Sequence, residues 1–246
     1  MELSGAGAGA EKPARDGHDV AFAYQTLRAS ILHGEIPAGT VMSQVNLAKR
    51  LGLSRTPLRE AVRFLQHEGL IDVEPNRRLR VATLTVEDVE QLYVMRVALE
   101  STAVHMTVPD FQPVDIAEMK GLIAQMEHFA GERDFLEFER PHRAFHALLV
   151  AGGGERLGRA ISELSDHAER YRRAYMGSSP SAYAVTMDEH REMLDAAAAQ
   201  DAPRTVERLV AQYARTASTV IEALDPGFSA TRLRLAVAQV TAEPVA

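Results

Sequence analysis

The chain has 246 residues, of which 46% are apolar and 25% charged. This composition is typical of a globular protein and excludes a disordered or collagen-like chain. The lack of cysteine excludes disulfides, thiolate zinc fingers and cysteine nucleophiles. The net charge of −7 is unevenly spread, because residues 49–80 carry eight basic and four acidic side chains whereas residues 85–246 carry 16 and 25. This asymmetry indicates a basic binding module joined to an acidic module, although two solvated faces would give the same charge pattern.

The N-terminal segment, residues 1–17, is rich in glycine and alanine and is predicted to form a flexible tail. It lacks the apolar stretch of a signal peptide, and no later segment reaches the roughly 18 consecutive apolar residues of a membrane span. The sequence therefore predicts a soluble, cytoplasmic protein with no membrane partner.

Three helices are predicted next, at about 19–34, 43–51 and 54–69. Ser43 and Ser54 are candidate N-caps of the second and third helices. Gly52 lies between these two helices and permits a left-handed turn. This arrangement is typical of a helix–turn–helix, whose second helix lies in the major groove of DNA.

A small β-hairpin is predicted after the third helix. Two short alternating segments, 70–74 and 78–82, flank a Pro75-Asn76 turn. The hairpin is basic, and a minor groove or the phosphates of a duplex would suit its arginines, namely Arg77, Arg78 and Arg80. Residues 18–84 are therefore predicted to form a winged helix–turn–helix domain that binds DNA.

Candidate DNA contacts recur on the outward face of the third helix, namely Ser54, Arg55, Thr56, Arg59 and Arg63. Arginine can pair with two acceptors of guanine at once, and a serine at a helix start suits a phosphate. Arginines at this spacing also solubilise amphipathic helices that bind nothing. The hinge glycine, the SRTPLRE run and the basic hairpin together favour DNA binding.

The rest of the chain is helical in pattern. Breaks separate predicted helices at about 85–105, 113–130, 133–150, 155–176, 181–199 and 203–224. We predict a mainly α protein in which residues 85–225 form an antiparallel bundle of about six helices. Residues 226–246 are expected to be a C-terminal tail, with one weak helix near 230–240 or none.

One long run in the N-terminal region carries a family signature: ILHGEIPAGTVMSQVNLAKRLGLSRTPLREAVRFLQHEGLIDVEPNRRLRVATLT. It resembles the winged helix–turn–helix of the GntR superfamily of bacterial transcription regulators, over about residues 19–84. The resemblance implies operator contacts by the recognition helix and the wing, namely Arg55, Thr56, Arg59 and residues 77–80. Two positions depart from the family pattern, because Val45 stands where a basic residue is usual and Arg78 stands at the wing tip, where glycine is frequent.

Three shorter motifs follow in the helical region: Arg96-Val97-Ala98-Leu99-Glu100, Phe145-His146, and Glu189-His190-Arg191 followed by Asp201. With these motifs, residues 85–224 resemble the FCD ligand-binding domain of the FadR subfamily. Most such domains hold a divalent metal through an Asp-x-x-x-His pair and two later histidines. The resemblance places these ligand positions at His142, His146, His190 and Gln212, so that a histidine replaces the aspartate and a glutamine replaces the last histidine.

The candidate metal ligands are therefore His142, His146 and His190. The first two are four residues apart and share a helix face, and three imidazoles suit zinc or nickel. A metal-free polar pocket and hydrogen-bonded core histidines are the alternatives. Three neutral imidazoles would leave a metal its full +2 charge, which predicts a small organic acid as effector and, as its contacts, Arg96, Gln212 and His167.

Together these features predict a homodimeric transcription regulator that binds a near-palindromic operator in double-stranded DNA. A small carboxylate effector in the helical domain is expected to release repression. The alternatives are a regulator with a metal-free pocket for a larger ligand, a three-histidine metalloenzyme and a protein-binding adaptor. A di-iron enzyme needs two Glu-x-x-His motifs, and only residues 139–142 fit, with Pro141 inside the motif. We expect no enzymatic activity.

Overall fold

The computed structural model describes residues 12–74, 78–175 and 180–241. The chain divides into two compact units, Met1–Thr83 and Leu84–Ala246, and each unit has its own hydrophobic core. The elements described in the first unit are α1 (Lys12–Leu32), β1 (Val41–Ser43), α2 (Gln44–Leu51), α3 (Arg55–His67), β2 (Ile71–Glu74) and β3 (Arg78–Val81).

The second unit is helical throughout its described residues. Its helices are α4 (Val86–Thr107), α5 (Pro113–Glu132), α6 (Phe135–Leu149), α7 (Gly154–Tyr175), α8 (Pro180–Ala198), α9 (Ala202–Leu224) and α10 (Thr231–Thr241). Within the described ranges of both units, no helix combines the length and the apolar character that crossing a membrane requires.

α1 is longer than the sequence predicts. It begins at Lys12, so that residues 12–17 of the predicted flexible tail are helical, and residues 1–11 lie outside the described residues. Its inward face buries Ala23, Leu27 and Ile31 at intervals of four residues. This apolar stripe packs α1 against α3 and so supports the helix–turn–helix.

The wing is a three-stranded antiparallel sheet, and the prediction of a two-stranded hairpin was incomplete. β3 is the central strand and pairs with β1 on one side and with β2 on the other. Val41 lies opposite Arg80, far apart in the sequence, and an alternation over only three residues is too short to reveal such a strand. The predicted Pro75-Asn76 turn lies outside the described residues.

The helix–turn–helix consists of α2 and α3. Gly52 has the left-handed conformation that the sequence predicts, with a φ of 68°, and its amide donates a hydrogen bond to the Lys49 carbonyl. Ser43 and Ser54 occupy the two N-cap positions, but neither side chain makes the predicted capping hydrogen bond. The first amides of α3 therefore have no side-chain cap from Ser54, which leaves them available to a phosphate.

The second unit has seven described α-helices: the six predicted ones and a seventh near residues 230–240, which the sequence left open. The additional helix, α10, packs on α4 and α9 and buries Leu233. Its first turn is fixed because the Glu90 carboxylate of α4 accepts hydrogen bonds from the amides of Arg232 and Leu233. Residues 231–241 are therefore part of the helical unit, whereas the sequence assigned them to a C-terminal tail.

Candidate DNA interface and metal centre

The outward face of α3 is cationic. Arg55, Thr56, Arg59 and Arg63 are all exposed to solvent, whereas the opposite face of the helix is buried in the core of the first unit. The part of the chain that the structure describes offers these three arginines no ion-pair partner. Exposed arginines on one helix face are available to base edges and phosphates.

The same face borders a groove of about 410 Å³. The start of α2 and strand β2 also line this groove and contribute the side chains of Val45 and Val73. Val45 is 52% exposed, so that a position that is basic in the resembled family presents an apolar side chain here. The groove therefore combines a cationic wall with an apolar one.

Arg78 begins strand β3 and is exposed. It lies opposite Ser43 of β1 and Glu74 of β2, so it is part of the sheet and directly follows the residues that connect β2 to β3. The residues that connect β2 to β3 include the predicted DNA contact Arg77, which lies outside the described residues.

Arg80 differs from Arg78 because its guanidinium is already bound within the wing. It donates to Glu74 Oε1 at 2.5 Å and to the Gly39 carbonyl at 3.3 Å. The side chain is partly buried. Arg80 is therefore engaged within the wing, and its contact with DNA stays a prediction.

Three buried histidines converge in the second unit. His142 and His146 lie on α6 and His190 lies on α8, and candidate ligand nitrogens of all three are within 4.8 Å of one another. The Nε2 atoms of His146 and His190 are 3.2 Å apart. The exposed fraction of each residue is 6% or less. The fold therefore brings together the three ligands that the sequence predicts.

The outer nitrogen of each imidazole faces a polar partner. Nδ1 of His190 lies 2.6 Å from the Thr186 carbonyl of the same helix, Nδ1 of His142 lies 3.3 Å from Glu139 Oε2, and Nδ1 of His146 lies 3.4 Å from the Tyr213 hydroxyl. For His190 and His146, an acceptor at Nδ1 holds the proton there and leaves the Nε2 lone pair free. Nδ1 of His142 approaches Glu139 without forming a hydrogen bond. Such outer partners orient the histidine ligands of metal sites.

Burial lowers the pKa of all three imidazoles, and that of His190 to about 3. They are therefore neutral at neutral pH, and the neutral imidazole is the form that binds a metal. Burial alone would raise the pKa of Glu139, but the adjacent Arg172 guanidinium lowers it, so that this carboxylate stays ionised beside His142. The donor set thus fits a divalent ion such as zinc or nickel.

Two buried ion pairs flank the histidines. Arg172 of α7 binds the Glu139 carboxylate through hydrogen bonds of 3.1 and 2.7 Å. Arg96 of α4 donates to Glu100 at 2.7 Å and to the Tyr213 hydroxyl at 2.6 Å, and Tyr213 donates to Glu100. Because each pair balances its own charge, the two pairs add no net charge to the centre.

The role predicted for Arg96 needs correction. Arg96 is 2% exposed, and its Nε and Nη2 already donate to Glu100 and Tyr213, so it is not a free anchor for a ligand. Sequence reasoning missed the contributions of Glu139 and Arg172. Their only signal is that Glu139 lies three residues before His142 and hence on the same face of α6.

The two other predicted effector contacts lie at different distances from the histidines. Gln212 is buried, and its Nε2 is 3.3 Å from Nδ1 of His190, so it adjoins the centre. His167 is partly buried on α7 and belongs neither to the histidine cluster nor to the cavity beside it.

A cavity of about 330 Å³ adjoins the centre. His146 and Glu100 line it, and Arg143, Ser162 and Ser165 supply further polar groups. The rest of the lining consists of small or aliphatic residues, namely Ala144, Ala147, Val150, Ala151, Gly158 and Ile161. This mixture suits a small ligand that has a polar head and a short apolar part.

Both units match known families. The model for bacterial regulatory proteins of the gntR family matches residues 20–81, and the FCD domain model matches residues 91–215, about half of the chain. Together, the fold and these matches define a DNA-binding transcriptional regulator with an FCD effector-binding domain. The chain belongs to the GntR family of bacterial regulatory proteins.

Named relatives are transcriptional regulators and not enzymes. The repressor GlaR of Escherichia coli (strain K12) is 27% identical over 209 residues, which cover 81% of this chain and 94% of GlaR. The uncharacterised regulator YdhC of Bacillus subtilis (strain 168) is 30% identical over 129 residues, which cover 52% of this chain and 57% of YdhC. The structure of E. coli McbR/YncC shares the fold, with a TM-score of 0.72 at 20% identity, and the match covers 83% of this chain and 98% of that one.

Proposed function

We propose that this chain is a cytoplasmic, homodimeric repressor of the FadR type that a small organic acid, bound beside a metal, releases from its operator. The observation that carries this proposal is the set of three buried, clustered histidines next to a cavity of about 330 Å³. The exposed cationic face of α3 supplies the DNA-binding part of the function.

Operator binding depends on the arginines of α3. Each bidentate contact of an arginine with guanine contributes about 1–3 kcal/mol of discrimination. Changing Arg55 and Arg59 together to alanine is therefore expected to abolish specific binding to the DNA upstream of the protein's own gene, measured by fluorescence anisotropy. Arg140→Ala is the matched control, because this arginine is 77% exposed but lies in the second unit. Equal affinity of the double variant and the control would exclude α3 as the reading helix.

Metal binding is assigned to His142, His146 and His190. A bound zinc or nickel ion would supply a fixed positive charge, and a tetrahedral site with three protein ligands leaves one position for a ligand atom. Titration calorimetry of chelator-treated protein with zinc is expected to give one site per chain. His146→Ala should lose that site, whereas the exposed His128→Ala should keep it. Unchanged stoichiometry in the His146 variant would contradict the assignment.

The effector is assigned to the class of small organic acids. Three neutral imidazoles do not offset the charge of a divalent ion, and the flanking ion pairs balance themselves, so an anion is favoured in the cavity. Small carboxylates are expected to raise the melting temperature of the zinc-loaded protein more than amides of the same size. Equal shifts for acids and amides would favour the alternative, a metal-free pocket that binds by apolar contact.

A homodimer follows from the expected operator, because two recognition helices related by a twofold axis read a near-palindrome. Light scattering after size exclusion is expected to give twice the chain mass of 27.0 kDa. Binding to an isolated half-site should be much weaker than binding to the full site. A monomer that binds both DNAs equally would contradict this part of the proposal.

A further inference from the structure

Tyr171 joins α7 to the first turn of α4. Its hydroxyl donates to Asp88 Oδ2 at 2.6 Å and accepts a hydrogen bond from the Thr85 amide at 3.2 Å. The residue is 1% exposed. Burial and the bond to Asp88 raise the pKa of Tyr171, so the hydroxyl keeps its proton and remains a donor at every physiological pH.

These contacts lie at the start of the second unit, next to its connection with the first. Thr85 is the N-cap of α4, and the second unit begins one residue earlier, at Leu84. The covalent connection to the DNA-binding unit therefore enters the second unit where Tyr171 holds the backbone. The Tyr171 hydroxyl is the α7 group that contacts the Thr85 backbone among the described residues.

The next residue of the same helix faces the histidine centre. Arg172 binds Glu139 through two hydrogen bonds, and Glu139 lies 3.3 Å from Nδ1 of His142. Consecutive residues of an α-helix project about 100° apart, so α7 reaches two different neighbours from adjacent positions. Arg172 thus connects α7 to Glu139, next to His142, and Tyr171 connects the same helix to the start of α4.

We propose that Tyr171 is a positioning residue that transmits the state of the histidine centre to the first turn of α4. This inference rests on the proposed function. A cation on His142 makes the Nδ1 proton more acidic and so strengthens the contact with Glu139. Because Glu139 also holds Arg172, a change in the carboxylate shifts α7, and the Tyr171 hydroxyl carries that shift to Thr85 and Asp88.

A second route from the histidines reaches α4 at its middle, through Tyr213 and Glu100. Glu100 is fully buried and its carboxylate is bound by Arg96 on the same helix. This route fixes α4 in the core of the bundle and does not reach its first turn. The two routes make different predictions for a variant that lacks only the Tyr171 hydroxyl.

The test uses Tyr171→Phe in the full-length protein, with zinc alone as the probe. Operator affinity is measured by anisotropy after chelation and again at saturating zinc, and zinc affinity is measured by calorimetry. Allosteric coupling is commonly 5–150-fold. We expect the response of the wild type to zinc to fall below about twofold in Tyr171→Phe, while zinc affinity stays within about twofold. Hydrogen exchange of the amides of residues 86–89 should then no longer depend on zinc.

Tyr175→Phe is the matched control, because Tyr175 is also on α7 and partly buried, and it should respond as the wild type does. Asp88→Asn weakens the same hydrogen bond without removing the tyrosine, so it replaces Tyr171→Phe if that variant does not fold. If zinc changes the operator affinity of Tyr171→Phe as much as that of the wild type, the inference is overturned and the route through Glu100 is favoured. If zinc does not change the operator affinity of the wild type, the proposed metal dependence is overturned, and the inference with it.

Discussion

The arginines discussed above have opposite environments in the two units of this regulator. Arg55, Arg59 and Arg63 on α3 are exposed, and within the described ranges no carboxylate pairs with them. Arg96 and Arg172 in the helical unit are buried, and each is bound to a glutamate. The first setting leaves charge available to an external polyanion. The second uses charge to place the side chains that surround the histidines.

The largest expected effect concerns the buried pair. Glu139→Gln removes the carboxylate that binds the buried Arg172 guanidinium, and breaking a buried pair typically costs about 3–5 kcal/mol of unfolding free energy. Urea denaturation measures this loss. Glu137→Gln, two residues away, breaks only the exposed pair with Arg140, and should cost less than about 1 kcal/mol. Similar losses of unfolding free energy in both variants would mean that the buried pair stabilises the fold no more than the exposed pair does.

The next largest expected effect is a pH dependence of the unfolding free energy, which arises from the buried histidines of the second unit. In metal-free protein, imidazoles of the unfolded chain titrate near 6.5, whereas burial lowers the pKa of His190 to about 3. Between these values the unfolded chain binds a proton that the folded chain excludes, so the unfolding free energy falls as the pH falls. The slope is about 1.4 kcal/mol per pH unit for each such histidine, and it vanishes above the unfolded pKa.

Denaturation of chelator-treated protein at several pH values between 5 and 8 tests this expectation. His190→Gln removes one titrating group and should flatten the curve. Operator binding through α3 involves no histidine of the predicted contact set, so it should show no matching transition. A stability curve that is flat below pH 6.5 would contradict the buried, neutral state of the histidines.

The smallest expected effect distinguishes the two wing arginines. Each phosphate that a protein neutralises contributes about 0.9 to the slope of log affinity against log salt concentration. Arg78→Ala should lower this slope by about that amount, because Arg78 is exposed. Arg80→Ala should change it little, because Glu74 already pairs with Arg80. A larger change for Arg80 would show that this pair opens on DNA.

Local patterns were enough to predict most of the architecture. The left-handed Gly52, the boundaries of the helix–turn–helix and the helical nature of the second unit all follow from short-range signals. Strand β1 was missed because its partner, β3, is distant in sequence. α10 was left open because its stability comes from contacts with α4, such as that of Glu90 with the Leu233 amide, and not from a strong apolar stripe of its own.

The histidine cluster shows the same division between local and long-range signals. His142 and His146 share a helix face by spacing alone, but the approach of His190 depends on how α8 packs. The resemblance supplied that third ligand. It also assigned Arg96 to the effector, since a sequence does not reveal that Glu100 and Tyr213 already engage its guanidinium.

Strand β1 has a mechanical consequence for the DNA-binding unit. Ser43 ends β1 and is also the N-cap of α2, so the wing and the helix–turn–helix share a residue without an intervening linker. The Gly39 amide bonds to the Val81 carbonyl, and the Val81 amide bonds to the Thr40 carbonyl, which adds a second seam. The backbone thus joins the wing directly to α2, and we expect the wing and the helix–turn–helix to move as one body.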